Sequence, residues 1–343
     1  MVSQCKSKPP EMGAFLPLDT FEKPVKLPKM KYGLVCISEL LRDKNPDLAF
    51  KTMTRAQFLK KGRDESIGEL SRRISHNLTV TIETLKHCKE VGIKHYRLSC
   101  KLFPLITDPT LKLQVDLLPY WNIIEQKLME VGRVARELNI SISIHPDQFV
   151  VLGSDSDDVC AKSIAELNFH AWVLDQMKLP SNYECPINIH PSLSTFESAE
   201  KFVDKFIRNF FRCDIGVRNR LVLENEDKGF WTCSNLYDYF HNYMKQVYNF
   251  HFPLTYDNLH DAANPSVLAD GTVVPFEKNF MRFYQTWNVP PVFHWSEAET
   301  GTKRNHSKNL TVPPPDMGLD VTWEIEVKGK DKAFVHYIKR FPN

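Results

Sequence analysis

Six short apolar runs each end in a side chain that can bind a divalent cation. Ser141-Ile142-Ser143-Ile144 leads to His145, Ile187-Asn188-Ile189 to His190, and Leu221-Val222-Leu223 to Glu224. Leu254-Thr255-Tyr256 leads to Asp257, Val292-Phe293 to His294, and Trp323-Glu324-Ile325 to Glu326. Unpaired carboxylates are costly in an apolar rim. Cations offset three of them, with three histidines alongside, better than scattered Arg or Lys partners. Imidazole and carboxylate ligands suit manganese or zinc, with magnesium also accommodated, and a set this large can hold more than one ion. Such a centre acidifies water, so hydrolysis is the first chemistry it suggests. His260, three residues past Asp257, and His306, in a long loop, would complete a third site.

The elements that would position these groups alternate along the chain. Apolar runs predict strands near 31–36, 94–99, 140–145, 186–190, 220–225, 253–257, 291–295 and 322–328. Helical periodicity falls near 66–91, 119–138, 157–177, 196–212, 234–250 and 276–287, with a last helix after 330. Repeated strand–helix units predict an α/β fold, a (β/α)8 TIM barrel with all six ligand-bearing strand ends at one mouth. No Gly-rich turn follows a strand, so a nucleotide-binding sheet has little support. Residues 1–30, with five prolines, read as an irregular arm before a barrel domain at 31–343. Two segments, 37–65 and 296–321, are long for connections; both would overhang the mouth and carry basic residues.

The net charge of +2 gives no global signal for a polyanion partner, so any nucleic-acid surface must be a local patch. No apolar run is long enough to cross a bilayer, and the N-terminus lacks a secretory apolar core. The eight cysteines include no CxxC pair, and several fall inside strand or helix patterns, which points to reduced thiols and an intracellular protein.

The motifs around the ligand candidates resemble UV damage endonucleases. They are His145-Pro146-Asp147-Gln148-Phe149, Leu223-Glu224-Asn225-Glu226, Asp257 through Pro265, Phe293-His294-Trp295-Ser296 and Glu326-Val327-Lys328-Gly329-Lys330, with Arg97-Leu98-Ser99 at the second strand. The resemblance covers roughly 31 to 340. That family is similar in fold and metal set to the endonuclease-four type of abasic-site nuclease. The resemblance implies a barrel enzyme that nicks damaged double-stranded DNA; a monomer in nucleus, cytoplasm or a DNA-containing organelle is expected. The nick falls 5′ to UV photoproducts and some other lesions, leaves a 3′-hydroxyl, and uses two or three divalent ions, commonly manganese. By position, His145, His190 and Glu224 would hold one ion. Glu224 would bridge to a second held by Asp257, His294 and Glu326, these last four being the catalytic set. His260 and His306 would hold a third.

Several positions depart from the family pattern. Leu34 and Phe149 each stand where a tyrosine is typical, while Gln148 matches; both apolar residues are expected to wedge against bases. Val292 replaces a lysine reported as carboxylated near the metals, which weakens the third site, and Asp261 replaces a second histidine. Lys101, Lys303, Arg304, Lys328 and Lys330, with Lys308, are the candidates for phosphate contact. Two rivals remain: a sugar isomerase or epimerase of the xylose-isomerase-like barrel type, and a catalytically silent DNA-binding scaffold.

Overall fold

The computed structural model describes residues 30–192 and 196–340; the expected arm at 1–30 lies, but for Met30, outside the described residues. The strands are β1 (Lys31–Val35), β2 (His95–Leu98), β3 (Ser141–Ile144), β4 (Ile187–Ile189), β5 (Leu221–Glu224), β6 (Leu254–Thr255), β7 (Val292–Trp295) and β8 (Thr322–Ile325). They form one parallel sheet in the order β6-β5-β4-β3-β2-β1-β8-β7. Between β6 and β7 the ring closes through an isolated parallel bridge, Asp257 to His294. There the His294 N–H donates to the Tyr256 carbonyl at 2.8 Å. The expected (β/α)8 barrel is thus present, with each strand at its expected place.

The helices are α1 (Glu39–Lys44), α2 (Arg55–Lys60), α3 (Arg63–Glu90), α4 (Trp121–Leu138), α5 (Asp157–Gln176), α6 (Ala199–Phe210), α7 (Ile215–Arg218), α8 (Cys233–Tyr237), α9 (Met244–Tyr248), α10 (Asn258–Ala263), α11 (Phe276–Tyr284) and α12 (Lys330–Arg340). A π-helical stretch, Asp238–Tyr243, joins α8 to α9. The Ser156 hydroxyl caps α5 by accepting from the Val159 N–H, and Asp157 and Asp158 favour its positive end. The end of α5 lies so close to α4 that a side chain at Gly132 would collide with the Met177 carbonyl, 1.6 Å from where a Cβ would stand.

Strand alternation divides the apolar and polar residues between two faces. Tyr96, Leu98, Ile142, Ile144, Leu221, Leu223, Phe293, Trp323 and Ile325 are buried in the apolar core. Their neighbours His95, Arg97, Ser143, Asn188, Glu224, His294 and Glu324 bond one another inside the ring. Barrel interiors are ordinarily filled by branched apolar side chains; here the upper interior is polar and ionisable.

The same alternation corrects the expectation for Leu34. Gly33 faces the interior, where a Cβ would stand 2.8 Å from His95 and 3.3 Å from Glu324. Leu34 therefore points the other way, and at 2% exposure it is core, out of reach of DNA. Cys36, Cys88, Cys100, Cys160, Cys185, Cys213 and Cys233 are free thiols, and no helix among the described residues is long and apolar enough to cross a membrane.

Candidate metal centre

All six strand-end groups meet at the C-terminal mouth, around Glu224. One Glu224 oxygen lies 3.0 Å from His145 Nε2 and 3.8 Å from His190 Nε2. The other lies 3.0 Å from His294 Nδ1 and 3.2 Å from His260 Nδ1. Asp257 Oδ2 is 3.8 Å from His294 Nδ1, and Glu326 is 3.5 Å from the same nitrogen. Compact ligand sets follow: His145, His190 and Glu224; Glu224, Asp257 and His294; and His294, Glu324 and Glu326, each with donor atoms within 4.8 Å of one another. Glu224 is common to the first two, and Glu326 falls in the third.

These residues fit cations. His294 Nδ1, Asp257 Oδ2 and His190 Nδ1 are buried without hydrogen-bond partners, an arrangement that is costly unless something positive or polar meets them. Burial would raise the Glu224 carboxyl, but His294, His190, His145 and His260 hold it well below its ordinary range. Burial, with Glu224 and Glu326 nearby, raises Asp257. Against burial, Glu224 and Glu326 keep His294 well above the usual imidazole value. His260 is likewise held up to about 10 by Asp257 and Glu224, again against its burial. Burial pushes His190 down to about 4, helped by His145, His260 and His294. Protons on histidines thus balance the carboxylates where cations would otherwise do so.

His260 and His306 reach the centre from opposite partners. His260 donates toward the Asn225 carbonyl at 2.8 Å and Glu224; His306 stands 2.9 Å from Ser296 Oγ and 3.7 Å from Glu326. Among the described residues neither belongs to a compact three-ligand set. Asp261 turns away and accepts from Tyr256 Oη and Asn279 Nδ2. Val292 pairs with Thr322 one layer below His294, too short to approach the ligands.

Beside the centre, Phe149 is 74% exposed and Gln148 is also exposed. Lys101 and Lys303 are exposed. Arg304 is ion-paired with Asp227, and Lys328 with Glu299 at 2.6 Å. Lys330 is half-buried, and that burial lowers its pKa; it is the least exposed of the six basic candidates.

Sequence reasoning missed four groups. Glu324 and His95 lie under the ligands, Asn188 donates to Glu224, and Glu226 accepts from the Ser192 N–H at 2.9 Å and is raised by burial to about 7. The signal for Glu324 was its period-two spacing from Glu326, which puts both on the interior face.

Fold and site together define a TIM-barrel protein with a histidine–carboxylate centre at its C-terminal mouth. The sequence model of the UV-endonuclease UvdE family matches residues 30–343, and the chain belongs to that family. The UV DNA damage endonuclease of a Nostoc species is 30% identical over 307 residues, 89% of this chain and 88% of that protein. The UV-damage endonuclease of Neurospora crassa is 32% identical over 74% of this chain, which spans only 38% of that longer protein. The crystal structure of SacUVDE is 27% identical with a TM-score of 0.71, over 91% of this chain and 99% of that one.

Proposed function

We propose that this chain is a DNA repair endonuclease that works with two divalent cations, manganese before zinc or magnesium. It nicks duplex DNA 5′ to UV photoproducts, and to abasic or other distorting lesions, and leaves a 3′-hydroxyl. The observation that carries the cation dependence is Glu224, buried at the centre with one oxygen toward His145 and the other toward His294. His145, His190 and Glu224 hold the first cation; Glu224, Asp257 and His294, with Glu326 beside them, hold the second. A third, on His260 and His306, has no supporting ligand set.

Bound cations supply an acidified water and countercharge for the oxygens around phosphorus. The chain's own groups do the rest. Phe149 and Gln148 stand clear of the surface beside His145, where an aromatic ring can enter a distorted base step. Photoproducts stack poorly, so opening the duplex costs least where damage lies. Lys101 and Lys303 meet phosphates without reading sequence, and Arg304 and Lys328 exchange their surface carboxylates for phosphate at little cost. The enzyme acts as an intracellular monomer. Membership in the UvdE family disfavours the sugar isomerase, and so does an exposed aromatic a small sugar does not need.

UV-irradiated supercoiled plasmid, incubated with the protein and Mn2+, is expected to become nicked while unirradiated plasmid stays closed. Glu224→Gln should reduce nicking by more than about 100-fold, since even outer-shell partners of metal ligands cost about 10- to 100-fold, with circular dichroism unchanged. Equal nicking of undamaged plasmid would refute lesion recognition. Retained activity in a folded Glu224→Gln variant would refute the cation assignment.

A further inference from the structure

The polar layer beneath the ligands is a built site. Glu324 is 1% exposed at the centre of the barrel. One of its oxygens meets His95 Nε2 at 2.9 Å and the Ser143 hydroxyl. The other meets Arg97 Nη1 at 3.0 Å and His294 Nε2 at 3.2 Å. Arg97 also pairs with Glu326, so one guanidinium serves both glutamates. His95 is fixed in turn, its Nδ1 lying 2.8 Å from Ser141 Oγ. Room for the pair depends on Gly33, because any Cβ there would strike the His95 ring.

His294 consequently has two unlike sides. Its Nδ1 faces Glu224, Asp257 and Glu326, all parts of the ligand cluster. Among the described residues its Nε2 faces only Glu324 within ion-pair distance. A carboxylate on one nitrogen keeps the proton there and leaves the other nitrogen's lone pair for a cation. Glu324 and Glu326 also stand near enough to His294 to be a ligand set themselves. The Arg97 guanidinium, however, already supplies the positive charge between the two glutamates.

We propose that Glu324 is the positioning residue of the centre: it retains the Nε2 proton of His294 and aims Nδ1 at the second cation, while Arg97 keeps Glu324 itself out of the ligand set. The proposal rests on the two-cation reading above. Glu324→Leu would remove the acceptor that meets His294 Nε2, leaving the imidazole free to carry its proton on Nδ1 and block it.

Nitrogen-15 histidine spectra of the Zn2+-loaded protein test this directly. A cation-bound Nδ1 and a protonated Nε2 on His294 are expected, the signal being assigned by its loss in His294→Gln. Mn2+ titration should show the weaker of two binding events reduced about 10- to 100-fold in Glu324→Leu. A deprotonated or cation-bound Nε2 in the unmodified chain would overturn the proposal, and that spectrum decides alone if the variant does not fold. Wild-type affinity in a folded variant would overturn it too, leaving the two-cation reading intact. Failure of the unmodified chain to bind Mn2+ or Zn2+ would sink both.

Discussion

Phe149 is a large ring held in water at 74% exposure, four residues beyond the half-buried His145. An aromatic group in that position gains by stacking on a base, by about 1–3 kcal/mol. Phe149→Ala is therefore expected to slow cleavage of a duplex carrying one photoproduct by roughly 5- to 100-fold, with Mn2+ affinity unchanged in calorimetry. Equal losses in both would mean that the ring packs the loop and touches no DNA. His145, His190, Glu224, Asp257, His294 and Glu326 were legible because each closes an apolar run, which leaves little doubt about depth or direction. Leu34 was misread because its role came from resemblance alone. The parity set by Gly33 turns it toward the helices, and that parity follows from the packing of His95 and Glu324, which sequence does not display.

At the scale of elements, Asp331 ties three helices together. Buried at the start of α12, it accepts from the backbone N–H of Glu39 at 2.8 Å and from the Ser38 hydroxyl, and it meets His87 Nε2 of α3 at 2.9 Å. Burial would raise its carboxyl, yet His87, Ser38 and those amides hold it below the ordinary value. A depressed carboxyl stabilises the fold above its unfolded pKa, near ~3.9, and loses that contribution as pH falls through the folded value. Asp331→Asn should accordingly lower stability by about 1.5–3 kcal/mol at neutral pH. The difference from wild type in urea titrations should shrink as pH drops below about 4. A pH-independent difference would mean that shape, not charge, is what the helices need. The strands and most helices were readable from periodicity. The short helices α1 and α10 were not, because their starts depend on caps: Ser38 is held by distant Asp331, and Asp257 doubles as ligand candidate and cap for the His260 N–H.

Across the whole molecule, a net charge of +2 leaves any polyanion contact to individual basic residues such as Lys303 and Arg304. Each phosphate neutralised steepens the logarithmic dependence of affinity on salt by about 0.9. Replacing Lys303 and Arg304 together by glutamine should flatten that slope by about 0.9–1.8, the lower figure applying if Arg304 stays with Asp227. Fluorescence anisotropy of a labelled duplex across a salt series measures it, and an unaltered slope would remove the 296–321 segment from the interface. The joint between β6 and β7 has a wider consequence. Among the described residues it is closed by a single bridge, and the two residues of that bridge, Asp257 and His294, approach one prospective ion from opposite staves. Loading would act as a rivet across the thinnest weld of the cylinder. Stripping it would let that joint breathe, with the His294 amide among the first to trade its hydrogen for deuterium.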